Sequence, residues 1–451
     1  MAKTAKKDPA LTPEEKLAQA LVPESEQPYP IPENWCWIKL NTVIELISGR
    51  DAALSDCNSE GIGIPYILGA SNLEGNYFSI ERWIEVPQVV SKKGDILLSV
   101  KGTIGKLYIQ QEESINISRQ IMAIRPCQEM QKEYVYLFLL SVCEELRNAG
   151  NGLIPGISRS DILYKTFPLA PSYEQQRIVD RIESLFAKLD EAKEKAQAVV
   201  DGFEDRKAAI LHKAFTGELT KKWRFDYKVE VDSWCDMTVG ECCELITKGA
   251  SPKWQGVDYT DDKSQTLFVT SENVREGFLD WSKEKYLDNS INDIQKRSIL
   301  HKGDVLVNIV GASIGRSAIF DRDCLANTNQ AVCIVRVGPM LYNKYLCYYL
   351  NSPYALMYYD DNKVETARAN ISLTNISDMS INLPTCQEQY EIVRQLDTIV
   401  ERETTIKSKL EQVIEQIDGM KKSILARAFR GELGTNDPAD ESAEVLLKRI
   451  L

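Results

Sequence analysis

The sequence has few of the residues from which metal sites and redox motifs are built. It contains only two histidines, His212 and His301, and its 11 cysteines include no CxxC pair. Neither histidine lies near a group of cysteines, so a structural zinc site is not expected. An odd number of cysteines scattered through apolar stretches is typical of buried free thiols in a reducing compartment.

Long apolar runs and an excess of positive charge are also missing. No stretch approaches the roughly 20 apolar residues that a membrane-spanning helix needs. Residues 1–8 have no apolar segment behind their lysines, so they do not resemble a secretory signal. We therefore expect a cytoplasmic location. The net charge of −12 argues against a protein that coats nucleic acid indiscriminately, although it leaves room for a local basic groove.

The strongest pattern present is an internal duplication. Two motifs recur at one offset of 214 residues (388 − 174 and 428 − 214), and earlier motifs recur in the same order at slightly smaller offsets. The chain is therefore expected to alternate a globular module with a long segment, twice. The recurring pairs are EQQRIV at 174–179 with EQYEIV at 388–393, AFTGEL at 214–219 with AFRGEL at 428–433, KGDIL at 93–97 with KGDVL at 302–306, and TIGK at 103–106 with SIGR at 313–316.

Each long segment has the apolar spacing of a coiled-coil helix, with alternating steps of four and three residues. Pro171 and Pro384 precede the segments, and Gly217 and Gly431 follow them as expected helix ends. About 43 residues of helix give a rod of roughly 65 Å, which is a suitable spacer between two modules. The predicted seam residues are Ile178, Ile182, Leu185, Leu189, Ala192, Ala196, Val199, Phe203 and Ile210 in the first segment, and Ile392, Leu396, Ile399, Ile406, Leu410, Val413, Ile417, Met420 and Ile424 in the second.

The modules are expected to be rich in strands. Apolar stretches at 96–100 and 305–310 predict strands that follow a Lys-Gly-Asp turn, and stretches at 121–124 and 331–335 predict a second pair. The predicted fold class is α+β: two strand-rich modules related by internal duplication, separated by two long helices that form an antiparallel coiled coil. Short helices are predicted at 134–146 and 342–350.

Both modules carry positive charge between these strands. Residues 92–125 contain six lysines and arginines against three acidic residues, a net of +3, and residues 296–336 contain the same numbers. One such segment alone is usually an ordinary solvated loop. Its recurrence at equivalent positions in an acidic chain favours a functional role.

The order of these motifs resembles the DNA-specificity subunit family of type I restriction-modification systems. Each copy begins with a tryptophan, Trp35 or Trp234, and continues through a Lys-Gly-Asp strand and a Gly-x-x-Gly-Lys/Arg loop. An Ile-Ser element, a Pro-Leu-x-Pro…Glu-Gln motif and an Ala-Phe-x-Gly-Glu-Leu helix ending complete it. The resemblance covers about residues 30–451. Ala170 and Thr385 depart from the proline pattern, which affects the entry to the helix rather than recognition.

The resemblance implies a non-catalytic, sequence-specific reader of double-stranded DNA. Two target-recognition domains would each read half of a bipartite site, and the helices would set the spacing and dock two methyltransferase subunits, which restriction and translocase subunits would join. S-adenosylmethionine, ATP and Mg would belong to those partners, and this chain would hold no cofactor or metal. The implied parts are an N-terminal extension (1–34), recognition domain 1 (35–171), spacer helix 1 (172–222), recognition domain 2 (223–385), spacer helix 2 (386–433) and a C-terminal tail (434–451).

Candidate DNA-binding residues lie in the basic segments and in two further loops, 49–76 and 248–277. Lysine and arginine beside glycine suit phosphate contacts, whereas arginine pairs well with guanine, and glutamine or asparagine with adenine. The phosphate candidates are Lys101, Lys106 and Arg316, in loops that also contain Thr103 and Ser313. The base-edge candidates are Arg119, Gln120, Asn329 and Gln330. The two further loops add Arg50, Asn72, Lys253 and Asn273.

Two other classes of function remain open at this point. One is a coiled-coil scaffold whose modules bind proteins, which would show no salt-dependent DNA binding. The other is a self-contained methyltransferase or nuclease. For that reading, residues 351–354 (NSPY) resemble the Asn-Pro-Pro-Tyr motif of adenine methyltransferases, but serine replaces the first proline and no glycine-rich cofactor loop precedes them. Residues 102–106 (GTIGK) lack the spacing of a nucleotide-binding P-loop.

Overall fold

The computed structural model describes residues 12–74, 77–149, 156–230, 233–364 and 369–451. The chain divides into two compact units, one formed by Met1–Lys195 with Gln412–Leu451 and the other by Ala196–Glu411. Each unit contains one copy of the duplicated module and part of each long helical segment. Among the helices in the described ranges, none is both long enough and apolar enough to cross a membrane.

The module of the first unit is built on a four-stranded and a five-stranded sheet. The strands predicted at 96–100 and 121–124 are confirmed, and they pair antiparallel in the four-stranded sheet. In spatial order that sheet contains Leu107–Ile109, Ile96–Ser99, Ile121–Pro126 and Ile44–Ser48. The five-stranded sheet contains Cys57–Asn58, Trp83–Ile84, Ile64–Ile67, Ser114–Ile117 and Val90–Lys92. Two further strand pairs are Cys36–Lys39 with Thr166–Leu169 and Leu73–Glu74 with Tyr77–Phe78.

The second unit repeats this topology. Its first sheet has the same strand order, and its second sheet differs only in lacking the edge strand equivalent to Val90–Lys92. Both second sheets contain one parallel pair, Ser114–Ile117 with Ile64–Ile67 and Ala326–Thr328 with Thr266–Val269. The first sheet contains Ser317–Ile319, Val305–Asn308, Val332–Val337 and Cys243–Lys248. The second contains Tyr259–Thr260, Tyr286–Leu287, Thr266–Val269 and Ala326–Thr328, and a separate pair joins Cys235–Thr238 to Ser380–Leu383.

The Lys-Gly-Asp turn is fixed by its glycine and its aspartate. Gly94 and Gly303 have φ values of 91° and 101°, which favour glycine. The Asp95 carboxylate accepts the Lys92 amide at 2.8 Å and binds the Arg125 guanidinium through two contacts of 2.8 Å. This hydrogen bonding raises the pKa of Arg125. Asp304 makes the same contacts in the second unit, so each turn is tied to a neighbouring strand of its sheet.

The second long segment is one continuous helix, Cys386–Ala428, as predicted. The first is not, because it divides at Gly202 into Ser172–Asp201 and Phe203–Phe215. Glycine lowers helix stability by about 1 kcal/mol relative to alanine, and Arg206 Nη2 donates to the Val199 carbonyl at 3.0 Å beside this break. The helices predicted in the modules are confirmed as Lys132–Ala149 and Asn343–Leu350. The remaining α-helices are Pro13–Ala20, Arg159–Leu163, Lys221–Tyr227, Ile291–Ile294, Pro353–Asn362, Leu373–Asp378 and Ala443–Ile450.

The antiparallel packing of the two long segments is confirmed within each unit. In the first unit, Lys193 pairs with Asp418 at 2.8 Å and Asp190 pairs with Lys421. Residue numbers therefore increase along one helix as the numbers of their partners decrease along the other. In the second, Arg206 pairs with Glu403 at 3.0 Å, and the Lys407 ammonium lies 4.8 Å from the centre of the Phe203 ring.

The predicted seam is buried only in part. Ile178, Ile182, Ile392, Leu396 and Ile417 are buried as expected. At two positions the burial is shifted by one residue: Leu211 is buried instead of the predicted Ile210, and Leu425 instead of the predicted Ile424. Five predicted seam residues are exposed. They are Ala192, Val199 (42%), Ile406 (46%), Val413 (43%) and Met420 (50%).

The first 34 residues were predicted as an N-terminal extension, and most side chains of residues 12–34 are exposed, although part of this segment packs on the first module. Ala20 and Val22 are buried, and Leu21 pairs with Ile38 as an antiparallel bridge. Residues 1–11 lie outside the described part of the chain. At the other end, the predicted C-terminal tail contains the helix Ala443–Ile450, and the Ala443 amide donates to the Asn34 carbonyl at 2.8 Å.

Candidate nucleic-acid interface

The best candidate site in the first unit is the tight turn between the strands Ser114–Ile117 and Ile121–Pro126. The Ile121 amide donates to the Ser118 carbonyl at 3.0 Å, which closes the turn. Ser118 is buried and its hydroxyl donates to the Leu68 carbonyl at 2.5 Å. Arg119 and Gln120 are exposed at the tip, so a fixed backbone presents two side chains that can hydrogen-bond to a partner.

The basic loop at 100–106 lies beside this turn. The Val100 amide donates to the Gln120 carbonyl at 2.8 Å, and the Ser99 amide donates to the Lys106 carbonyl at 2.9 Å. Gly105 has a φ of 85°, which lets the loop fold back so that its amide reaches the Ser99 carbonyl at 2.9 Å. The exposed loop side chains are Lys101, Thr103 and Lys106.

The second unit builds the same arrangement from its own residues. The Ile309 amide donates to the Ala331 carbonyl, and the Asn308 amide to the Arg316 carbonyl, both at 2.9 Å. Gln330 and Arg316 are exposed. Asn329 is half-buried, and its side-chain oxygen accepts the Ala331 amide at 3.0 Å. Ser313 is half-buried, and its hydroxyl accepts from Asn308 Nδ2 at 3.1 Å.

Not all of the predicted positive charge is available to a partner. Arg125 and Arg336 are bound to the buried Asp95 and Asp304 described above, and Lys93 pairs with Glu113 at 3.1 Å. In the part of the chain that the structure describes, no ion pair involves Lys101, Lys106 or Arg316. The predicted phosphate contacts are therefore among the cations of the basic segments that have no carboxylate partner in the described residues. The others are Lys92, Lys296, Arg297 and Lys302, which are also exposed.

Arg119 is held in place by a carboxylate. Its Nε lies 2.7 Å from Asp51 Oδ2, and its amide donates to Asp51 Oδ1 at 3.1 Å. The Arg119 side chain as a whole remains 68% exposed. Asp51 thus orients the arginine while leaving its outer edge open, an arrangement that suits recognition of a planar acceptor pair.

Arg50 and Lys253 also lie close to the turns. The Arg50 amide donates to the Ile117 carbonyl at 3.0 Å, and its side chain is exposed. Lys253 is exposed on the short turn Pro252–Gln255 and lies four residues after Gly249, whose amide donates to the Asn329 carbonyl at 3.2 Å.

Asn72 and Asn273, which the sequence predicted as DNA contacts, are buried, and their side chains bond their own loops. Asn72 is 5% exposed: its oxygen accepts the Leu68 amide at 2.9 Å, and its nitrogen donates to the Ser79 carbonyl at 3.0 Å. Asn273 is 3% exposed and holds its own loop in the same way, accepting the Thr270 amide and donating to the Asp280 carbonyl. In each unit the asparagine side chain bonds the backbone of its own loop and so fixes the shape of that loop. Within loop 49–76, residues 75–76 lie outside the described residues.

The motif at 351–354 has a structural explanation. The Asn351 side chain is buried and donates to the Ser317 carbonyl at 2.9 Å, and Ser352 caps the helix Pro353–Asn362. The exposed Tyr354 hydroxyl bonds His212 Nδ1 at 2.6 Å. Within the described ranges, no group of three or more histidine, cysteine or acidic residues is placed to hold a metal ion.

The cysteines are only partly the buried thiols that the sequence predicted. Burial raises the pKa of Cys36 and Cys347 to about 12 and that of Cys143 to about 11, so these remain protonated thiols. Cys235, Cys324 and Cys386 are exposed instead. Cys235 is the first residue of a strand, Cys324 lies in a loop, and Cys386 is the first residue of a helix.

A pair of buried glutamates that sequence reasoning used only as repeat markers holds each module closed. Glu388 accepts Trp234 Nε1 at 2.9 Å and Thr220 Oγ1 at 2.6 Å, and it pairs with the buried Arg224 at 2.5 Å. Its equivalent, Glu174, accepts Trp35 Nε1 at 2.7 Å and Asn436 Nδ2 at 2.9 Å. In each unit the carboxylate joins the first tryptophan of the module to the segment that follows a long helix. The signal was the recurrence of Trp and Glu-Gln in both copies.

One known protein family matches the chain twice, once on each copy of the duplicated module. A model described as the type I restriction modification DNA specificity domain matches residues 32–200 and again residues 232–416. The two matches together span more than half of the chain and fall one on each copy of the duplicated module.

Individual relatives agree over almost the whole length. The type I restriction enzyme EcoBI specificity subunit of Escherichia coli is 25% identical over 448 residues, which cover 93% of this chain and 92% of that protein. The EcoKI specificity subunit of Escherichia coli (strain K12) is 22% identical over 458 residues, covering 93% and 95%.

Two solved structures share the fold. One, from a study of complex assembly and conformational transition of the type I R-M system, has a TM-score of 0.70 at 19% identity and covers 90% of this chain and all of that chain. The other is the HsdS subunit from Thermoanaerobacter tengcongensis, with a TM-score of 0.59 at 19% identity and the same coverage.

Proposed function

Because this chain belongs to the type I restriction-modification DNA specificity family, and is therefore a non-catalytic specificity subunit that recognises DNA, we propose that its two modules each read one half of a bipartite DNA site. The observation that carries this proposal is the repeated site geometry. Both units place a tight turn with exposed polar side chains against a basic loop, through backbone hydrogen bonds of nearly the same length.

The division of labour within each site follows from side-chain chemistry. Lys101, Lys106 and Arg316 contact phosphates, helped by the polar loop residues Thr103 and Ser313, since an ammonium or guanidinium without an internal partner releases counterions when it meets the DNA backbone. Base edges are read from the turns, where arginine suits guanine and a side-chain amide suits adenine. The proposed base readers are Arg119, Gln120, Asn329 and Gln330, with Arg50 and Lys253 beside them.

The recognition domains are proposed as residues 35–171 and 223–385, with spacer helices at 172–222 and 386–433. The length of the helical segments would then set the gap between the half-sites. No cofactor is assigned to this chain; S-adenosylmethionine, ATP and Mg would be held by partner subunits. A cytoplasmic location belongs to the proposal because the DNA that such a complex methylates lies there.

A groove that recurs in both units supports docking of two methyltransferase subunits, with restriction and translocase subunits joining them. In the first unit it lies between Lys132–Ala149 and the long helices and is lined by Leu140, Phe186 and Leu425. In the second unit the equivalent groove is lined by Asn351, Val400 and Leu211. Phe186 and Val400 are separated by the same 214 residues as the sequence motifs, and so are Leu211 and Leu425. Equivalent grooves suit two copies of one partner.

Titration of DNA binding against salt tests this proposal. The chain combined with its methyltransferase subunit is expected to bind duplex DNA with an affinity that falls steeply as salt rises, because phosphate contacts release counterions. Affinity that is absent, or that does not respond to salt, would favour a scaffold that binds proteins. Methylation by the purified chain alone would favour a self-contained enzyme.

A further inference from the structure

Each module carries a widely exposed large apolar side chain shortly after the same strand. Leu54 is 70% exposed and Trp254 is 85% exposed. Each lies five residues after a glycine, Gly49 or Gly249, that directly follows a strand of the four-stranded sheet. Isolated exposed apolar residues are ordinary, but folding gives no reason for one at the same place in both copies.

The two glycines press these segments against the candidate recognition turns. A Cβ atom on Gly49 would lie 2.1 Å from the Ser118 carbonyl oxygen, and one on Gly249 would lie 1.8 Å from the Thr328 carbonyl oxygen. Only glycine permits such an approach. The exposed apolar residues therefore lie on chain that leads directly away from the turns bearing Gln120 and Gln330.

The segments after the glycines are also fixed. In the first unit, the Ala52 amide donates to the Tyr66 hydroxyl at 3.1 Å, and Leu54 begins a short 3-10 turn, Leu54–Asp56. In the second unit, Gln295 clamps Ala250 from both sides, accepting its amide at 2.8 Å and donating to its carbonyl at 3.3 Å. Such preorganised turns lose little conformational entropy when their apolar side chains meet a partner.

The charge around these side chains indicates which partner is met. Arg50 and Lys253 are exposed within four residues of Leu54 and Trp254. Asp51 and Asp56 also lie near Leu54, and Asp51 pairs with Arg119 of the neighbouring turn. An exposed apolar side chain with a cation close to it in the chain suits a polymer with a charged backbone and apolar, stackable bases.

We propose that Leu54 and Trp254 each make an apolar contact with bases of the half-site that their own module reads. This rests on the function proposed above and adds a class of contact that hydrogen bonding does not supply. Trp254 would stack on a base face, and Leu54 would pack against a base edge or step, as apolar side chains do in other DNA-binding proteins.

The test compares the DNA affinity of Leu54→Ala and Trp254→Ala with that of wild type, each in complex with the methyltransferase subunit. The probe is a duplex that contains the sequence methylated by the wild-type complex. Trp254→Ala is expected to lose about fivefold or more in affinity for that duplex, the range that follows from loss of one stacking contact. Leu54→Ala is expected to lose about fivefold or more as well, through lost burial of its apolar side chain. Only the half-site of the altered module should lose sequence preference. Trp254→Phe should stay near wild type because the aromatic face remains.

Matched controls are Val86→Ala in the first unit and Phe225→Ala in the second, which remove side chains that are 78% and 84% exposed but do not lie on the clamped turns. Both should bind DNA as wild type does. If the wild-type complex binds the duplex but both test variants bind it with unchanged affinity, the inference is overturned and the proposed function stands. Loss of methyltransferase binding in the variants would also overturn it, because the apolar residues would then face protein. Failure of the wild-type complex to bind DNA would instead overturn the proposed function.

Discussion

If each module reads one half-site, as proposed, a single side chain decides which half-site loses its specificity. Gln120→Ala is expected to relax recognition at one position of the first half-site only, and Gln330→Ala at one position of the second only. Loss of one base contact costs about 1–3 kcal/mol, and each glutamine is exposed on the turn of its own module. Methylation mapping of each variant complex checks this. Gln111→Ala removes an exposed glutamine outside the turn and should leave the site unchanged. Relaxation of both half-sites by one substitution would contradict the assignment of one reader to each module.

The loop cations should act on affinity rather than on sequence. Lys106→Ala and Arg316→Ala are each expected to weaken binding to all duplexes and to reduce the slope of log affinity against log salt by about 1. Neither residue has a carboxylate partner in the described part of the chain, so each is available to a phosphate. Lys93→Ala is the control, since Lys93 pairs with Glu113. A salt slope that stays at its wild-type value in both variants would remove these residues from the backbone contacts.

The two buried glutamates should differ in what their loss costs. Glu388→Ala leaves the Arg224 guanidinium, whose side chain is 6% exposed, without its carboxylate partner. Removing one partner of a buried pair costs about 3–5 kcal/mol of unfolding free energy. Glu174→Ala removes the acceptor of neutral donors from Trp35 and Asn436, for which about 1–3 kcal/mol is expected. Denaturant unfolding of both variants measures the difference, and a smaller loss for Glu388→Ala would refute this explanation.

At the scale of elements, the long helices are the part whose length can be changed without touching a recognition turn. A four-residue repeat inserted within 178–200 lengthens the helix Ser172–Asp201 by about 6 Å. At roughly 3.4 Å per base pair, the gap between otherwise unchanged half-sites should grow by about 1–2 base pairs in methylation mapping. A matched insertion in the exposed turn at 261–263, outside the helices and after the strand Tyr259–Thr260, should not alter the gap. Methylation of sites with the original gap by the lengthened chain would show that this helix does not set the spacing.

The sequence predicted these elements better than it predicted their surfaces. The duplication, the Lys-Gly-Asp strands and the antiparallel helices all follow from local patterns and recur in both copies. The break at Gly202 could not be read in the same way, because an isolated glycine is tolerated in many helices. Burial of Asn72 could not be read either, since a polar loop residue serves its own backbone as readily as a partner. The closing contact between Trp35 and Glu174 joins residues far apart in sequence, and only the fold brings them together.

At the scale of the whole molecule, the duplication links fold to function. Two modules of the same topology carry different side chains at the equivalent turns, Arg119 and Gln120 in one and Asn329 and Gln330 in the other. Two modules with the same topology but different side chains on their turns suit a DNA target made of two different specified sequences. Equivalent grooves beside the long helices suit two copies of a catalytic partner, which supplies the chemistry that this family of subunits lacks.

Mapping of the DNA methylated by the wild-type chain together with its methyltransferase subunit tests the central claim most directly. DNA without prior modification is treated with the complex and S-adenosylmethionine, and the sequence around each methylated adenine is aligned. Two modules that read separate half-sites predict two specified blocks separated by a gap of fixed length and unspecified sequence. A single uninterrupted block of specified bases, or methylation without any common sequence, would contradict the account.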